Sequence, residues 1–450
     1  MAASPVASQR DSWATRLGFI LAAVGSAVGL GNMWRFPYVA SEGGGAAFVM
    51  LYLAIVAVVG IPLMTAEFVV GRLTQQSPLV SVRRLGGKAW APLGWLFIVC
   101  GFGILSYYSV IAGWTMRYAI DAVRNAIPSD SSAYFTAVSS GLDATLFHVL
   151  FMALTIWIVV QGVQKGLERS VLVMMPILFL LLAGLAVWAG TLEGGDPGYG
   201  YYLRPDLGAL LRPGILAAAA GQAFYSLSLG MGALMTYASY LRSKENLGGE
   251  ATMVALADFG VAFVAGLLVF PVIFAFDLFD TVSESSIGTL FIALPKGFEV
   301  LGRTGDFVDT AFFVLLFLAA LSSAISLLEV VVTAMIDRWG WRRSRAALVA
   351  GGAITLLGVP SAFDLDFLGA MDQITGNFLL LVGGLGIAFF VGWRIFPQAD
   401  AELALGLESP GLRRTWGVLV RFVAPVILVA VLVSAWPATW TAVRTLLGLE

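Results

Sequence analysis

The chain has 450 residues, of which 59% are hydrophobic and only 12% are charged, whereas a soluble domain carries about 25% charged residues. Its formal net charge of −2 gives no electrostatic support for nucleic-acid binding. One cysteine and one histidine exclude a disulfide within the chain and a cysteine–histidine metal cluster. Repeated apolar runs, each long enough to cross a bilayer, predict an all-α polytopic membrane protein that sits in lipid.

Eleven spans are predicted and are numbered α1 to α11 in chain order. Residues 1–12 are short and polar and contain no cleavage site, so the first span is expected to be retained. The first five spans cover about 13–38, 44–71, 90–124, 144–162 and 169–190. After a loop at 191–213, the others cover about 214–241, 251–278, 306–338, 344–360, 371–394 and 415–447. Apolar residues at 287–294 predict a small helical cap between α7 and α8.

Lysine and arginine are concentrated in one set of loops, for example at Arg83, Arg84, Arg342 and Arg343. The positive-inside rule places that side in the cytoplasm. The segment 1–12 is then cytoplasmic, and an odd number of spans puts the C-terminus on the outer side.

The middle of α1 holds three glycines within seven residues, Gly25, Gly29 and Gly31. Glycine weakens a helix by about 1 kcal/mol relative to alanine, and a break at membrane depth frees backbone groups that lipid cannot satisfy. Freed carbonyls suit Na⁺, and the N-terminus of the outer half-helix suits a carboxylate. The same glycines could instead form a close helix-packing face. Spacing alone leaves both readings open.

A second interruption, Ser226 to Gly232, lies in the middle of α6, five helices after the first. Because five is odd, a second copy of the unit must insert with opposite topology, and paired broken helices point to the site of an inverted-repeat transporter. We therefore expect a first repeat at 13–190, a loop at 191–213 outside the cell and a second repeat at 214–394. A cytoplasmic linker and α11 would occupy 395–450.

Specific motifs in α1 and α6 resemble those of the neurotransmitter:sodium symporter family. They are Trp13–Gly18, Ala27–Asn32 and Arg35–Tyr38 in α1, and Gln222–Gly232 in α6. The resemblance continues, in order, through Ile61–Leu63, Gly71–Arg72, Tyr107–Tyr108 and Ala319–Ser323. The eleven spans resemble bacterial members that transport amino acids and lack a twelfth helix.

That resemblance implies a secondary active symporter in the cell (inner) membrane, not an enzyme. It would import a neutral, hydrophobic amino acid with sodium by alternating access. The sequence shows no recognisable combination of a nucleophile, a base and a residue that orients the base, which argues against an enzyme. The alternatives are a carrier of another zwitterion such as γ-aminobutyrate, betaine or glycine, a non-transporting amino-acid receptor, and an ion-conducting pore on the same fold. The sequence makes no prediction of oligomeric state.

The resemblance also implies two sodium sites built from oxygen ligands, as a hard cation requires. The first would use the Ala27 carbonyl with the side chains of Asn32, Ser226 and Asp258, completed by the substrate carboxylate. The second would use the ligands Gly25, Val28, Ala319, Ser322 and Ser323, the first three through their carbonyls. Taken alone, Ser322 and Ser323 could equally be hydrogen-bonding residues between helices.

Asp258 is an acidic residue within an apolar span, which makes it a functional candidate. Many animal members of the family need chloride near the first sodium site, and Asp258 would supply that negative charge permanently. We therefore expect transport to be independent of chloride. We also hypothesise that Asp258 becomes protonated once sodium leaves.

The substrate site implied by the resemblance combines backbone and side chains around both breaks. Leu30 and Gly31 N–H groups and the Tyr108 hydroxyl would hold a carboxylate. The carbonyls of Ala27, Tyr225 and Ser226 would hold the ammonium. Monoamine carriers of the family place an aspartate where this chain has Gly29, which favours an amino acid over an amine. The expected substrate-binding residues are Ser26, Ala27, Leu30, Gly31, Ile104, Tyr108, Tyr225, Ser226, Ser228, Met231, Ser323 and Leu327.

Gate residues are implied at both ends of the site. Arg35 is expected to pair with Asp372 over Tyr225, although Asp364 and Asp366 lie close in sequence. Arg10 and Asp337 resemble an inner gate pair, although Arg10 could be only a positive-inside charge. Glu67 is expected to brace the two broken helices.

Overall fold

Helices that satisfy their own backbone hydrogen bonds build this fold, as a lipid environment requires. The computed structural model describes residues 11–212, 214–241, 245–278 and 289–449, and these ranges contain helices and no strand. Nine helices in the described ranges are long and apolar enough to cross a membrane. They are α2 (Ala46–Thr74), α3 (Lys88–Val123), α4 (Gly141–Val160), α5 (Val163–Ala189), α7 (Leu247–Ala275), α8 (Arg303–Trp339), α9 (Arg343–Phe363), α10 (Leu365–Arg394) and α11 (Pro410–Leu446).

The two remaining predicted spans are discontinuous. The first consists of α1a (Arg16–Ala27) and α1b (Gly31–Glu42), which meet at an angle of 48°. The second consists of α6a (Ile215–Ser226) and α6b (Ala233–Ala238), which are separated by an irregular segment. With α1a and α1b counted as one span, up to ten of the described helices or helix pairs could cross a membrane, whereas the sequence predicts eleven spans. That count and the inverted repeat remain predictions.

Short helices lie where the sequence analysis placed loops. They are Ser131–Val138, Asp196–Leu203 and Leu207–Leu211. The helix Asp196–Leu203 has a proline in its first turn and buries Tyr202, whose ring stacks on Phe270 at 4.8 Å. Tertiary packing thus outweighs the loop-like composition of this segment. The expected cap before α8 is helical at Leu294–Glu299, whereas residues 287 and 288 lie outside the described ranges.

The candidate site lies at the break in α1, so the packing of α1 determines where the site is in the bundle. The two longest helices of the interior, α3 and α8, are mostly buried and pack along each other. The half-helix α1a packs against α5, α7 and α8, so the end of α1a lies at the centre of the bundle. In contrast, α11 lies at the periphery, and most of its apolar surface is exposed.

Candidate functional site

The break in α1 is a local change of backbone direction with its own hydrogen bonds. Val28 has extended dihedrals (φ −72°, ψ 107°), which end α1a. The Gly29 N–H donates to the Asn32 side-chain oxygen at 3.0 Å, and the Asn32 N–H donates to the Gly29 carbonyl at 3.2 Å. Asn32 therefore satisfies a backbone N–H that the break exposes, and Gly29 and Gly31 lie at a break in the helix.

Four polar side chains meet beside this break in a fully buried cluster. The Asn32 amide donates to the Asp258 carboxylate at 2.7 Å and to the Ser226 hydroxyl at 3.1 Å. Ser226 donates to the second Asp258 oxygen at 2.7 Å, and Tyr52 donates to the same oxygen at 3.3 Å. The structure thus brings together three of the predicted first-site side chains and adds Tyr52, which the sequence analysis missed.

Oxygen atoms from α1a and α8 form a second cluster on the other side of α1. The Ser322 hydroxyl lies 3.0 Å from the Ala319 carbonyl and 3.4 Å from the Val28 carbonyl. The Ser323 hydroxyl lies 3.5 Å from the Gly25 carbonyl and 3.4 Å from the Val28 carbonyl. Oxygen ligands about 2.4 Å from a hard cation lie about 3.4 Å apart when they meet at right angles. The spacing of these atoms therefore fits a small hard cation.

A narrow cavity of about 30 Å³ lies between the two clusters. All twelve residues expected to bind substrate line it, together with Gly29. Its wall combines the backbone of the α1 break, the segment that follows α6a, and apolar side chains of α3 and α8. No charged side chain belongs to the described lining.

The polar end of the cavity is set by Tyr108 and Gly29. The Leu30 N–H lies 3.5 Å from the Tyr108 hydroxyl. A Cβ atom at Gly29 would lie 2.5 Å from the Ser323 hydroxyl and 3.2 Å from the Tyr108 hydroxyl. Position 29 therefore has no space for an acidic side chain without displacement of both hydroxyls.

Glu67 lies fully buried at the α6 break, and its role as a brace of both broken helices stays a prediction. One of its carboxylate oxygens accepts the Gly230 N–H at 2.8 Å. Gly230 has φ of +79°, and a Cβ atom there would lie 2.1 Å from the Leu380 carbonyl. Gly230 therefore has a left-handed backbone conformation that favours glycine, and Glu67 satisfies the N–H group that the break frees there.

The predicted direct pair between Arg35 and Asp372 is wrong in this structure. The Arg35 guanidinium donates to the Asn377 amide oxygen at 2.6 Å, and Asn377 in turn lies 3.3 Å from Asp372. Asp372 accepts the Tyr107 hydroxyl at 2.7 Å. Asn377 therefore separates the two charges, while Arg35 still covers the Tyr225 ring at 5.0 Å. Asp364 caps the start of α10 through the Asp366 N–H, so neither of these residues replaces Asp372.

The inner pair is only partly described, because Arg10 lies outside the described ranges. Asp337 accepts the Ser77 N–H at 2.5 Å. A buried ion pair that sequence reasoning missed lies close by. Arg343 contacts both carboxylate oxygens of Glu329 at 2.8 and 2.9 Å, and Tyr240 donates to the same carboxylate. Glu329 is an acidic residue inside an apolar span, the same signal that singled out Asp258.

Another residue that the sequence analysis missed, Glu168, fixes the start of α1a. Its carboxylate accepts the Ala14 and Thr15 N–H groups at 2.7 and 3.0 Å and the Thr15 hydroxyl at 2.7 Å. The two N–H groups belong to the N-cap residue of α1a and the residue before it, and the helix supplies no partner for either. Glu168 therefore ties the first turn of α5 to the half-helix that ends at the candidate site.

The chain is similar in sequence and in fold to known sodium-dependent transporters. A family model described as the sodium:neurotransmitter symporter family matches residues 10–140 and 136–441. An uncharacterized sodium-dependent transporter of Methanocaldococcus jannaschii is 35% identical over 94% of this chain and 90% of its own length. Another, from Bacillus subtilis, is 34% identical over 94% and 97%. The crystal structure of MhsT in complex with L-phenylalanine matches with a TM-score of 0.87 and 42% identity, over 95% of this chain and all of that one.

We predict that Asn377→Ala opens the surface above Tyr225, because it removes the hydrogen bond that holds Arg35. The Gly221→Cys substitution places a thiol here, because a Cβ atom at this position would lie 3.9 Å from Arg35. The native Cys100 is buried and should add little labelling of its own, so the labelling rate reports the solvent access of the new thiol. Labelling by a hydrophilic maleimide should become several-fold faster. Thr439→Ala is the control, because its hydroxyl bonds Gln373 and not Arg35. Equal rates in the two variants would show that Asn377 does not hold the gate.

Proposed function

The chain belongs to the sodium:neurotransmitter symporter family, and from that premise we propose that it imports a neutral, hydrophobic amino acid together with two sodium ions. Membership makes the protein a sodium-dependent symporter in a membrane, and not an enzyme. The proposal concerns the substrate, the number of ions, the independence from chloride and the alternating-access mechanism.

The observation that carries the proposal is the absence of an acidic side chain from the described cavity lining. An amine substrate would need a negative partner there, and the crowding around Gly29 leaves no space for one. An amino acid brings its own carboxylate, for which the Tyr108 hydroxyl and the N–H groups at the start of α1b are suitable donors. The same carboxylate would complete the first sodium site beside Asn32 and Ser226.

The apolar end of the cavity favours a hydrophobic side chain. Ile104, Met231 and Leu327 line it, and methionine adapts to side chains of different shape. MhsT, which is 42% identical to this chain, was crystallised with L-phenylalanine. Because the cavity measures only about 30 Å³, such a substrate would have to widen it on entry.

Two clusters of oxygen atoms support two ions. The first contains a carboxylate, Asp258, and the second contains only carbonyl and hydroxyl oxygens. A permanent carboxylate beside the first ion removes the need for a chloride ion in the same place. Sodium entry supplies the driving force, since one charge crossing 100 mV releases about 2.3 kcal/mol.

Alternating access is supported by the contacts on either side of the cavity. Arg35, Asn377 and Tyr225 cover one side. On the other side, Trp13 donates to the Tyr237 carbonyl at 2.9 Å and packs edge-on to Tyr237. Under this proposal α1a and α6b separate from α8 to release the substrate. The N-terminus is then cytoplasmic, in the cell (inner) membrane, as the positive-inside rule indicates.

We predict that hydrophobic amino acids such as L-phenylalanine, L-leucine or L-tryptophan raise the melting temperature of the purified protein. A ligand that binds only the folded state stabilises it by mass action. The shift should occur in sodium gluconate and in NaCl but not in KCl. A shift with betaine or γ-aminobutyrate and none with hydrophobic amino acids would overturn the substrate assignment. Binding without accumulation in proteoliposomes under a sodium gradient would instead identify a receptor.

A second prediction concerns the oxygen cluster between α1a and α8. Ser322→Ala should raise the sodium concentration for half-maximal stabilisation by several fold, because it removes one oxygen from the site. Ser109→Ala is the matched control, since that buried hydroxyl donates only to carbonyls of its own helix. An unchanged sodium requirement in Ser322→Ala would mean that no ion binds between α1a and α8.

A third prediction tests the charge of Asp258. Asp258→Asn should lower sodium-driven uptake at least tenfold in chloride-free buffer, because the buried site loses its only carboxylate among the described contacts. If uptake falls because the negative charge is lost, and not because a hydrogen-bond acceptor is lost, added chloride should restore part of the activity. Tyr52→Phe keeps the carboxylate and removes one of its hydrogen bonds, so it should retain most activity. Unchanged uptake by Asp258→Asn without chloride would refute the role given to this residue.

A further inference from the structure

A second, charged cavity of about 370 Å³ lies far from the substrate site, where α10 ends and α11 begins. The short helix Phe396–Leu403 and the first turns of α11 form its walls. Arg413, Arg414 and Arg421 line it together with one carboxylate, Asp400. Three guanidinium groups and one carboxylate give this lining a net charge of +2, which favours an anion in a concave site.

The arginines keep hydrogen-bond donors available for a ligand. Arg413 contacts Asp400 at 3.1 Å through one terminal nitrogen, whereas its buried Nε has no partner among the described residues. Arg421 is held by a 2.6 Å bond from Nε to the Gly392 carbonyl and lies 3.5 Å above the Phe396 ring. That bond leaves both terminal nitrogens of Arg421 for another acceptor. Arginine in such a fixed position binds phosphate oxygens with two parallel hydrogen bonds.

Aromatic residues place this cavity at the boundary between water and lipid. Trp393 and Phe422 pack edge to face at 5.5 Å, and both are more than half exposed. Tryptophan is enriched at that boundary, because its ring is apolar and its N–H is polar. Here the Trp393 N–H donates to the Arg421 carbonyl at 3.3 Å.

An apolar stripe continues from the cavity along the outer face of α11. Val418, Phe422 and Val426 follow Arg414 at intervals of four residues, so they lie on one face of the helix. Their exposed fractions are 47%, 52% and 70%. The charged cavity and this stripe together form a surface with a polar and an apolar end, as an amphiphile has.

We propose that this cavity binds the phosphate headgroup of an anionic phospholipid, whose acyl chains lie along the α11 stripe. Arg72, at the end of α2 that leads to Arg83 and Arg84, belongs to the side of the membrane that is rich in lysine and arginine. Glu402 of the same short helix pairs with Arg72 at 2.6 Å, so the site lies on that side. Basic pockets on that side of membrane proteins suit anionic lipid headgroups. A free phosphate ion would use the arginines but would gain nothing from the exposed apolar stripe.

The test uses the full chain purified in detergent and titrated with phosphatidylglycerol, with phosphatidylcholine of the same acyl chains, or with inorganic phosphate. Phosphatidylglycerol should raise the melting temperature saturably, and the other two should not. Arg414→Gln with Arg421→Gln should weaken the apparent affinity for phosphatidylglycerol about tenfold. The control, Arg83→Gln with Arg84→Gln, removes two exposed charges from the same side and should leave that affinity unchanged.

The double variant also removes the bond from Arg421 to the Gly392 carbonyl, and that loss could prevent folding. The single variant Arg414→Gln keeps that bond and therefore tests the site independently. Arg414 is exposed and forms no hydrogen bond or ion pair with the described residues, so its loss should affect only ligand binding. An equal loss of affinity in the Arg83/Arg84 variant would show diffuse charge attraction and overturn the site. A shift of the same size with inorganic phosphate would overturn the lipid assignment and show a free-anion site.

Discussion

Backbone groups freed at membrane depth are the constraint on which this structure depends. A helix in lipid satisfies its own N–H and carbonyl groups, and a break leaves several of them without a partner. The chain breaks two helices beside the same cavity and supplies buried side chains for several of the freed groups. Asn32 accepts the Gly29 N–H, Gln222 donates to the Gly31 carbonyl at 3.0 Å, and Glu67 accepts the Gly230 N–H.

The carbonyls of the α1 break that these side chains do not satisfy face the candidate ion and substrate sites. Among the described side chains, the Val28 carbonyl receives only long contacts of 3.4 Å, from Ser322 and Ser323. The Ser26 carbonyl accepts Ser228 at 2.7 Å, which ties the two breaks to each other. A bound cation would therefore coordinate carbonyls, such as that of Val28, that the α1 break leaves without a short hydrogen bond. The same ion would drive transport. Under the proposed function, sodium binding to these carbonyls both stabilises the break in α1 and couples the ion to transport.

Local interruptions of a simple pattern indicated the breaks and Asp258 from the sequence, whereas the ligand sets of the sodium and substrate sites came only from the resemblance to the symporter family. Three glycines in an apolar span and an acidic residue at Asp258 are visible without a structure. The partner of Arg35 was not visible, because Asn377 and Asp372 occupy neighbouring turns of one helix and only the approach angle of α1b selects between them. Glu329 could have been found by the signal used for Asp258, whereas its partner Arg343 looked like one more positive-inside charge. The short helix at Asp196–Leu203 depends on Tyr202 packing against α7, a contact distant in sequence.

The two oxygen clusters differ in which helices they join, and that difference separates their roles under the proposed function. The side chains of the first come from α1b, α2, α6a and α7, the helices that surround the breaks. The second joins α1a to α8, which packs against α3 in the buried interior. An ion in the first cluster therefore stabilises the broken helices around the substrate. An ion in the second ties α1a to α8, and because that cluster contains no carboxylate, a small displacement of α1a removes enough oxygen ligands to release it.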